Sequence, residues 1–210
     1  MNDTLTDYLM KSLPSEADWV KDLEQKARND QIPIMDPLGM NLVMQLIRLT
    51  KPERILEIGT AIGYSALRMA EANSNASIVS IERDEQRYRQ AVANIREMDK
   101  LHIIDVICGD ATEELPKLTG NKFDMVLIDA AKGAYKEFFE LSVPLLSNDG
   151  FVVTDNVLFK GFVADTEKQH PRYQKIAAKI RAYNDWLVKH PDFTTTIVPI
   201  GDGIAISKKI

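Results

Sequence analysis

Three side chains that could bind a metal ion follow two short apolar runs of the sequence. Asp129 comes directly after FDMVLI, and Asp155 and Asn156 come directly after FVVT, with no histidine or cysteine close by. Carboxylate and amide oxygens are hard ligands that suit Mg²⁺, with Mn²⁺ or Ca²⁺ as alternatives, and they disfavour zinc. The pattern predicts a site for a divalent cation, provided that the fold brings the three side chains together.

Each of these residues also has an ordinary structural interpretation. Asp129 could cap the helix that follows it, and Asp155 with Asn156 could form a turn. Lys132 lies three residues after Asp129. It could act as a general base if burial and a neighbouring dication keep it neutral, or it could only pair with a carboxylate. The sequence leaves these alternatives open.

A second group of residues predicts a nucleoside-binding surface. Gly59 and Gly63 occupy the turn after RILEI, where glycine lets the backbone approach a ligand closely. The Gly-x-Gly-x-x-Gly fingerprint of dinucleotide-binding enzymes is absent from this turn, because Ala61 and Tyr64 occupy its second and third glycine positions. An NAD-dependent dehydrogenase is therefore disfavoured, and a ligand without a phosphate is favoured.

Two later segments complete this surface. Glu82 ends the next apolar run, 23 residues after Gly59, where a carboxylate can accept both hydroxyls of a ribose. Asp110 and Ala111 follow the third run, at a position suited to an adenine ring. In this order, on three successive strand ends, these residues predict that the chain binds S-adenosylmethionine.

Alternating strands and helices must position all of these residues. Apolar β-branched runs predict strands at Arg54–Ile58, Ser77–Ile81, Ile103–Cys108, Asp124–Ile128 and Phe151–Thr154. Helical patterns lie between them, at Tyr64–Ala72, Asp84–Met98, Glu113–Leu118 and Tyr135–Leu146. This alternation predicts a parallel sheet with helices on both faces, so that the carboxyl ends of the strands share one edge.

The two ends of the chain depart from this pattern. Phe193–Pro199 and Ile204–Ser207 flank the turn Gly201-Asp202-Gly203 and predict a hairpin that adds an antiparallel strand. Two or three helices precede the sheet, and the clearest begins with Asp36 as its N-cap and Pro37 in its first position. We predict an α/β fold that forms a single domain over residues 1–210.

Composition excludes several classes of protein. Apolar residues make up 45% of the 210 residues and charged residues 27%, as in ordinary globular proteins. No apolar run approaches the roughly 18 residues of a membrane span, and the polar N-terminus lacks the pattern of a signal peptide, so we expect a cytoplasmic protein. The single cysteine, Cys108, excludes an internal disulfide and is expected in the core.

The net charge of −5 hides an asymmetry along the chain. Residues 1–156 carry 17 Lys and Arg against 26 Asp and Glu, whereas residues 157–210 carry 9 against 5. The basic excess begins directly after Asp155 and Asn156. It is interpreted either as a solvated, lysine-rich helix face or as a surface that contacts nucleic-acid phosphates.

Several of these segments together resemble one family. ILEIGTAIGYSA, IERD, GDA, IDAAKGAY and TDNV are similar to the successive motifs of the divalent-metal-dependent, S-adenosylmethionine-dependent O-methyltransferases of the catechol and caffeoyl-CoA type. The resemblance covers essentially the whole chain. It implies the class I methyltransferase fold, which is Rossmann-like and has a seven-stranded, mostly parallel sheet with an antiparallel last strand, and it commonly implies a homodimer.

The resemblance also implies roles for individual residues. Lys132 corresponds to the general base, and the metal ligands correspond to Asp129, Asp155 and Asn156. The residues that correspond to cofactor contacts are Met35, Glu57, Gly59, Gly63, Ser65, Glu82, Asp110, Ala111 and Asp129.

Within this family the sequence is most similar to the branch that methylates 5-hydroxyuridine in bacterial tRNA, through PIMDPLGM, DAAKGAY, TDNVLFKG, YNDWLVKHPDF and PIGDGIAISKK. This branch implies that 5-methoxyuridine is formed at the wobble position. Phosphates of the anticodon stem-loop would then contact basic residues after Asn156, namely Lys160, Lys168, Arg172, Lys175, Lys179 and Arg181. An O-methyltransferase of small catechol-like phenols and a non-catalytic nucleoside-binding module are the alternatives.

Overall fold

Strands and helices alternate through the computed structural model, which describes residues 3–165 and 171–210. Within these residues the strands are β1 (Arg54–Ile58), β2 (Ser77–Glu82), β3 (Ile104–Cys108), β4 (Phe123–Ile128), β5 (Leu146–Thr154), β6 (Phe193–Val198) and β7 (Ile204–Lys209). The helices are α1 (Asp3–Lys11), α2 (Asp18–Asn29), α3 (Pro37–Thr50), α4 (Tyr64–Ala72), α5 (Glu85–Glu97), α6 (Ala111–Glu114), α7 (Tyr135–Ser142) and α8 (Pro171–Leu187).

The seven strands of the described chain form one sheet in the order β3-β2-β1-β4-β5-β7-β6. The first five strands in this order, β3, β2, β1, β4 and β5, pair in parallel. Strand β7 runs antiparallel to both β5 and β6. The predicted α/β fold with a reversed last strand is confirmed. The strand order changes direction between β1 and β4, and ligands of open α/β sheets bind at the carboxyl ends of strands at such a point.

Successive residues of the central strands pack on opposite faces of the sheet. In β4, Val126 and Ile128 join the apolar core that includes α7 and α8, whereas Met125 and Leu127 join the core that includes α3 and α4. A strand covered on both faces reads as a continuous apolar run, which is why the central strands were recognisable in the sequence. The two cores hold the carboxyl ends of the strands in place.

The start of α3 confirms the predicted cap. The Asp36 carboxylate accepts hydrogen bonds from the backbone N–H groups of Leu38 and Gly39, at 3.0 and 3.4 Å, and Pro37 occupies the first helical position. These bonds satisfy donors that a helix N-terminus otherwise leaves unpaired. Met35, which immediately precedes the cap, is buried in the core that includes α3 and α4.

Some element boundaries differ from the predictions. Helix α7 ends at Ser142, and a 3₁₀ turn over Val143–Leu145 leads into β5. Pro144 explains the early end, because proline has no backbone N–H and cannot continue a helix. The segment predicted as the helix Glu113–Leu118 is α6 followed by a 3₁₀ turn. No bounds were predicted for α8, which spans 17 residues.

Two expectations from composition can be compared with the structure. Cys108 was expected in the core, but this expectation is wrong, because the residue lies on the edge strand β3 and its side chain is exposed. Among the helices of the described chain, none combines the length and the apolar character needed to cross a membrane.

Gly59 lets the loop after β1 touch the loop after β4. Its φ is 105°, in the left-handed region, and a Cβ atom at this position would lie 2.0 Å from the backbone oxygen of Asp129. The sequence suggested that this glycine serves a ligand; the structure shows that it is required first for contact between two chain segments. Gly120 has a similar φ of 94°, but nothing lies within 4 Å of its missing Cβ.

We expect Gly59→Ala to destabilise the protein more than Gly120→Ala. Both variants force alanine into the left-handed region, at roughly 1–2 kcal/mol, but only Gly59→Ala also collides with backbone. Urea denaturation should show an additional loss of at least about 2 kcal/mol in the free energy of unfolding for Gly59→Ala. Equal losses in the two variants would show that the approach to Asp129 is not a constraint.

Candidate functional site

A cavity of about 300 Å³ opens at the carboxyl ends of the central strands. Nine of the residues predicted for the site line it: Met35, Gly59, Ser65, Glu82, Asp110, Ala111, Asp129, Lys132 and Asn156. Glu57, Gly63 and Asp155 were also predicted but lie outside the lining. The Cβ position of Gly63 faces Ile95 of α5 at 3.4 Å, so this glycine serves the backbone conformation at the start of α4.

Glu82 is held firmly at the end of β2. Its Oε2 atom accepts a hydrogen bond from the backbone N–H of Ala61 at 2.8 Å, and its Oε1 atom accepts one from Asp84 at 2.9 Å. A carboxylate oxygen has two lone pairs, so both oxygens can accept a further bond from a ligand hydroxyl. The geometry is compatible with the predicted contact to a ribose.

Asp110 has the ordinary role of a helix cap. Its carboxylate accepts hydrogen bonds from the backbone N–H and the hydroxyl of Thr112, at 3.0 and 2.8 Å, and these bonds lower the pKa of Asp110. Arg83 and Arg87 line the same cavity and were not predicted. The available signal was the position of Arg83 immediately after Glu82, at the second strand end, and of Arg87 in the first turn of the helix that follows.

Glu57 is a fully buried carboxylate on β1, behind the cavity wall. The Ser80 hydroxyl donates to its Oε2 atom, whereas its Oε1 atom has no hydrogen-bond partner among the described residues. Burial raises the pKa of Glu57 to about 7, the hydroxyl groups of Ser65 and Ser80 partly oppose this rise, and the charges of Asp129 and Glu82 add to it. A buried carboxylate with an unused oxygen suits the positively charged group of a ligand.

Asp129, Asp155 and Asn156 come together because β4 and β5 are parallel neighbours. Ile128 is paired with Thr154 in the register, so that Asp129 and Asp155 follow directly on adjacent strands. Asp129 does not cap α7, whose N-cap is Ala134 without a side-chain hydrogen bond. The helix-cap interpretation of Asp129 is therefore wrong.

Asn156 links the other polar groups of the site. Its backbone is left-handed, with φ of 60°, and its amide nitrogen donates to Asp155 Oδ2 at 2.6 Å. Its Oδ1 atom accepts a hydrogen bond from Lys132 Nζ. The turn interpretation of Asp155 and Asn156 thus agrees with the local backbone, and Lys132 contacts an amide oxygen rather than pairing with a carboxylate.

The electrostatics of this end of the site fit a divalent cation. Burial raises the pKa of Asp155 well above its usual range, and the negative charge of Asp129 raises it further. Burial also raises the pKa of Asp129, which the Lys132 ammonium partly opposes. No cluster of three or more His, Cys, Asp and Glu side chains suited to a metal occurs in the described chain, so the candidate donor set is two carboxylates and one amide.

The whole chain resembles known proteins in sequence and structure. The family model described as O-methyltransferase matches residues 12–210. The chain belongs to the O-methyltransferase family.

Individual relatives agree with this assignment. A candidate caffeoyl-CoA O-methyltransferase from Staphylococcus aureus is 37% identical and superposes with a TM-score of 0.91, over 99% of this chain and 100% of that chain. The O-methyltransferase TomG of Streptomyces achromogenes, solved with S-adenosylmethionine, is 27% identical, with a TM-score of 0.83 over 100% and 99%. The caffeoyl-CoA O-methyltransferase of Stellaria longipes is 24% identical over 220 residues, 100% of this chain and 91% of its own. The protein is an S-adenosylmethionine-dependent O-methyltransferase of the caffeoyl-CoA type.

Asp202 supports the end of the O-methyltransferase site that contains Asp155 and Asn156, and it was not predicted. It lies in the turn between β6 and β7, where its backbone oxygen accepts from the N–H groups of Leu158 and Phe159, at 2.8 and 3.1 Å. Its carboxylate accepts from the N–H of Lys160 at 3.3 Å, and its charge also raises the pKa of Asp155. The Gly-Asp-Gly turn was interpreted only as a hairpin signal, although it also holds the segment after Asn156.

Helix α8 of the O-methyltransferase holds the same segment from its other side. Arg181 donates from Nε to the backbone oxygen of Val163 at 3.0 Å, and from Nη2 to that of Phe162 at 3.2 Å. Asn184 donates to the backbone oxygen of Val157 at 2.8 Å. Arg181 was predicted to contact phosphate, but two of its donor groups are used inside the protein.

Three other basic residues predicted for RNA contact are exposed: Lys160, Lys175 and Lys179. Lys179 Nζ lies 3.3 Å from the position that a Cβ atom of Gly133 would occupy, so α8 borders the loop between Asp129 and α7. Lys168 and the side chain of Arg172 lie outside the described residues. The basic surface therefore adjoins the polar end of the cavity.

Glu57→Gln should change how the stability of the ligand-free O-methyltransferase depends on pH. The pKa of Glu57 is about 7 in the folded chain against an ordinary 4.5. The stabilisation of the folded chain that follows from this raised pKa is fully present below pH 4.5 and is lost as the pH rises through 7. Between pH 5 and pH 8 the wild type should lose roughly 2 kcal/mol relative to Glu57→Gln, as measured by urea denaturation. A stability difference that stays constant over this range would contradict the raised pKa.

Proposed function

We propose that this O-methyltransferase requires Mg²⁺ and transfers a methyl group from S-adenosylmethionine to the 5-hydroxyl of 5-hydroxyuridine at the wobble position of tRNA, which yields 5-methoxyuridine. The observation that carries the proposal is the oxygen set of Asp129, Asp155 and Asn156, in which Asp155 is buried and the other two residues are half-buried. This set adjoins the cavity at one side and a basic surface at the other.

The residues around the cavity suit the successive parts of S-adenosylmethionine, which supplies the methyl group on a sulfonium. Glu82 would accept the ribose hydroxyls, and Asp110 and Ala111 would lie beside the adenine. The unused oxygen of Glu57 would accept from the ammonium of the methionine part, because that oxygen is buried and has no other partner in the described chain. The walls of the cofactor cavity would be completed by Met35, Gly59, Ser65 and Asp129.

Asp129, Asp155 and Asn156 would hold the divalent cation. Such an ion supplies two effects: it lowers the pKa of a hydroxyl that it contacts by several units, and it fixes the direction of that hydroxyl. The two carboxylates supply the negative charge that attracts the ion, and the Asn156 amide adds a neutral oxygen. This donor set also suits Mn²⁺ and Ca²⁺.

In the proposed reaction, Lys132 accepts the proton of the substrate. Its Nζ atom is bonded to the Asn156 amide oxygen and lies at the cavity lining. The step requires Lys132 as the neutral amine, a form that burial and a neighbouring dication would favour. The hydroxyl proton then passes to the lone pair of Nζ, the oxygen forms a bond to the methyl carbon, and the electron pair of the broken carbon–sulfur bond remains on sulfur as a thioether. Holding the reacting atoms in line contributes up to roughly 7–11 kcal/mol to lowering the barrier.

A substrate with two adjacent oxygens fits this site. 5-Hydroxyuridine offers O4 and the 5-hydroxyl, and a catechol offers two hydroxyls, so the same residues serve either chemistry. Small catechol-like phenols are accordingly the second candidate, supported by the caffeoyl-CoA relatives. The exposed lysines beside the site favour tRNA, since lysine contacts to phosphate position a nucleic acid without reading its sequence. The homodimer implied by the family resemblance stays a prediction.

Labelled S-adenosylmethionine tests the substrate directly. With Mg²⁺ present, label should pass to bulk tRNA that lacks the methoxy group and should be found as 5-methoxyuridine after digestion. Asp155→Ala should reduce transfer by at least about 100-fold, because it removes a cation ligand, while calorimetry should show S-adenosylmethionine binding largely preserved. Transfer only to a catechol panel would reject the tRNA substrate, and full turnover of Asp155→Ala would reject the cation site.

Neutralising two lysines of α8 should weaken tRNA binding without affecting the chemistry. For Lys175→Gln/Lys179→Gln we expect a several-fold higher KM for tRNA at 150 mM salt and a smaller dependence of tRNA affinity on salt, with methylation of a small catechol unchanged. The matched control is Lys51→Asn/Lys122→Gln, at the amino ends of β1 and β4, on the opposite edge of the sheet. Equal effects of the two double variants on tRNA would contradict an RNA surface on α8.

A further inference from the structure

Tyr135 carries a buried hydroxyl that the reaction described above does not use. The residue is 1% exposed, and its hydroxyl has no hydrogen-bond partner among the described residues. Buried polar groups of folded proteins almost always have a partner, and an exception calls for an explanation such as a bound ion or ligand. Phenylalanine would fill the same space without leaving a donor unpaired, so the hydroxyl itself requires a reason.

Tyr135 is linked through Tyr183 to the strand end that carries the cation ligands. Tyr135 is the first residue of α7, three residues after Lys132. Its ring packs against the ring of Tyr183 on α8, with 5.5 Å between the centroids. The Tyr183 hydroxyl is hydrogen-bonded to the Thr154 hydroxyl at 2.8 Å, and Thr154 immediately precedes Asp155.

Carboxylates are the charged groups that face Tyr135. After burial, the charge of Asp129 and then that of Asp155 contribute most to raising the pKa of the Tyr135 phenol, and Asp202 adds to them. A phenol in these surroundings keeps its proton and acts as a hydrogen-bond donor. The two carboxylates whose charges act most strongly on the Tyr135 phenol are the ones that we assign to the divalent cation.

We propose that Tyr135 is a positioning residue of the cation site, whose hydroxyl donates a hydrogen bond to the carboxylate pair Asp129 and Asp155 in the cation-bound enzyme. Carboxylates that bind a metal are generally hydrogen-bonded by an outer group, which fixes their orientation. Asn156 already donates to one oxygen of Asp155, and Tyr135 adds a donor from the buried side. The proposal rests on the cation dependence given under the proposed function.

Tyr183 provides a matched control. It is also a buried tyrosine, it contacts Tyr135, and its hydroxyl already has a partner in Thr154. Tyr183→Phe removes a satisfied hydrogen bond, whereas Tyr135→Phe removes a hydroxyl that has no hydrogen-bond partner among the described residues. The two variants lose the same atom from neighbouring rings, and they are expected to have opposite effects.

Titration of the purified full chain with Mn²⁺, followed by the electron paramagnetic resonance signal of the free ion, separates the two roles. Tyr135→Phe should weaken Mn²⁺ binding at least about tenfold, while its melting temperature without metal stays equal to the wild-type value or rises. Tyr183→Phe should bind Mn²⁺ within about twofold of the wild type and melt at a lower temperature. Mn²⁺ affinity of Tyr135→Phe within about twofold of the wild type would overturn the proposal.

The titration also distinguishes this proposal from the cation site on which it rests. If the wild type binds no Mn²⁺, the cation site is rejected and the role of Tyr135 with it; if the wild type and Tyr135→Phe bind equally, only the role of Tyr135 is rejected. Solution NMR of the unaltered chain gives a second measurement that does not depend on the variant's folding. Mg²⁺ should slow the exchange of the Tyr135 hydroxyl proton and leave that of Tyr183 unchanged, and equal exchange with and without Mg²⁺ would contradict the proposal.

Discussion

The pairing of β4 with β5 places two carboxylates in one buried site, and the other features of the site depend on this constraint. Ile128 and Thr154 are register partners, so Asp129 and Asp155 follow them on adjacent strands that point the same way. Burial raises the pKa of both carboxyl groups, and the negative charge of Asp129 raises the pKa of Asp155 further. Such an arrangement is stable at neutral pH only when positive charge or hydrogen-bond donors offset the repulsion.

The chain supplies these compensations from several elements. Lys132 and Asn156 form a hydrogen-bonded group around Asp155, and the turn that contains Asp202 holds the backbone that follows. Helix α8 fixes the same segment through Arg181. Because the supports come from separate elements, the ligand positions are set by the packed sheet and its helices rather than by one flexible loop, as a catalytic site requires.

Sequence patterns predicted the features that depend on local signals. Apolar runs indicated the strands. The polar side chains that follow each run indicated the site, because the carboxyl ends of parallel strands lie at one edge of the sheet. Contacts between distant segments could not be predicted in this way. Gly59 is required by the backbone of Asp129, 70 residues later, and Arg181 holds carbonyl groups instead of being free for phosphate. The role of Asp202 could not be predicted for the same reason. A Gly-Asp-Gly turn indicates a hairpin, but it does not indicate which distant residues the turn contacts.

Anomalous diffraction from crystals grown with Mn²⁺ and S-adenosylhomocysteine tests most directly whether the paired strand ends form a cation site. The account predicts one anomalous peak within about 2.0–2.4 Å of oxygens from Asp129, Asp155 and Asn156, next to the sulfur of the bound nucleoside. The account would be contradicted if crystals that contain bound Mn²⁺ showed no anomalous peak at these three residues. A peak coordinated by other residues would contradict it as well.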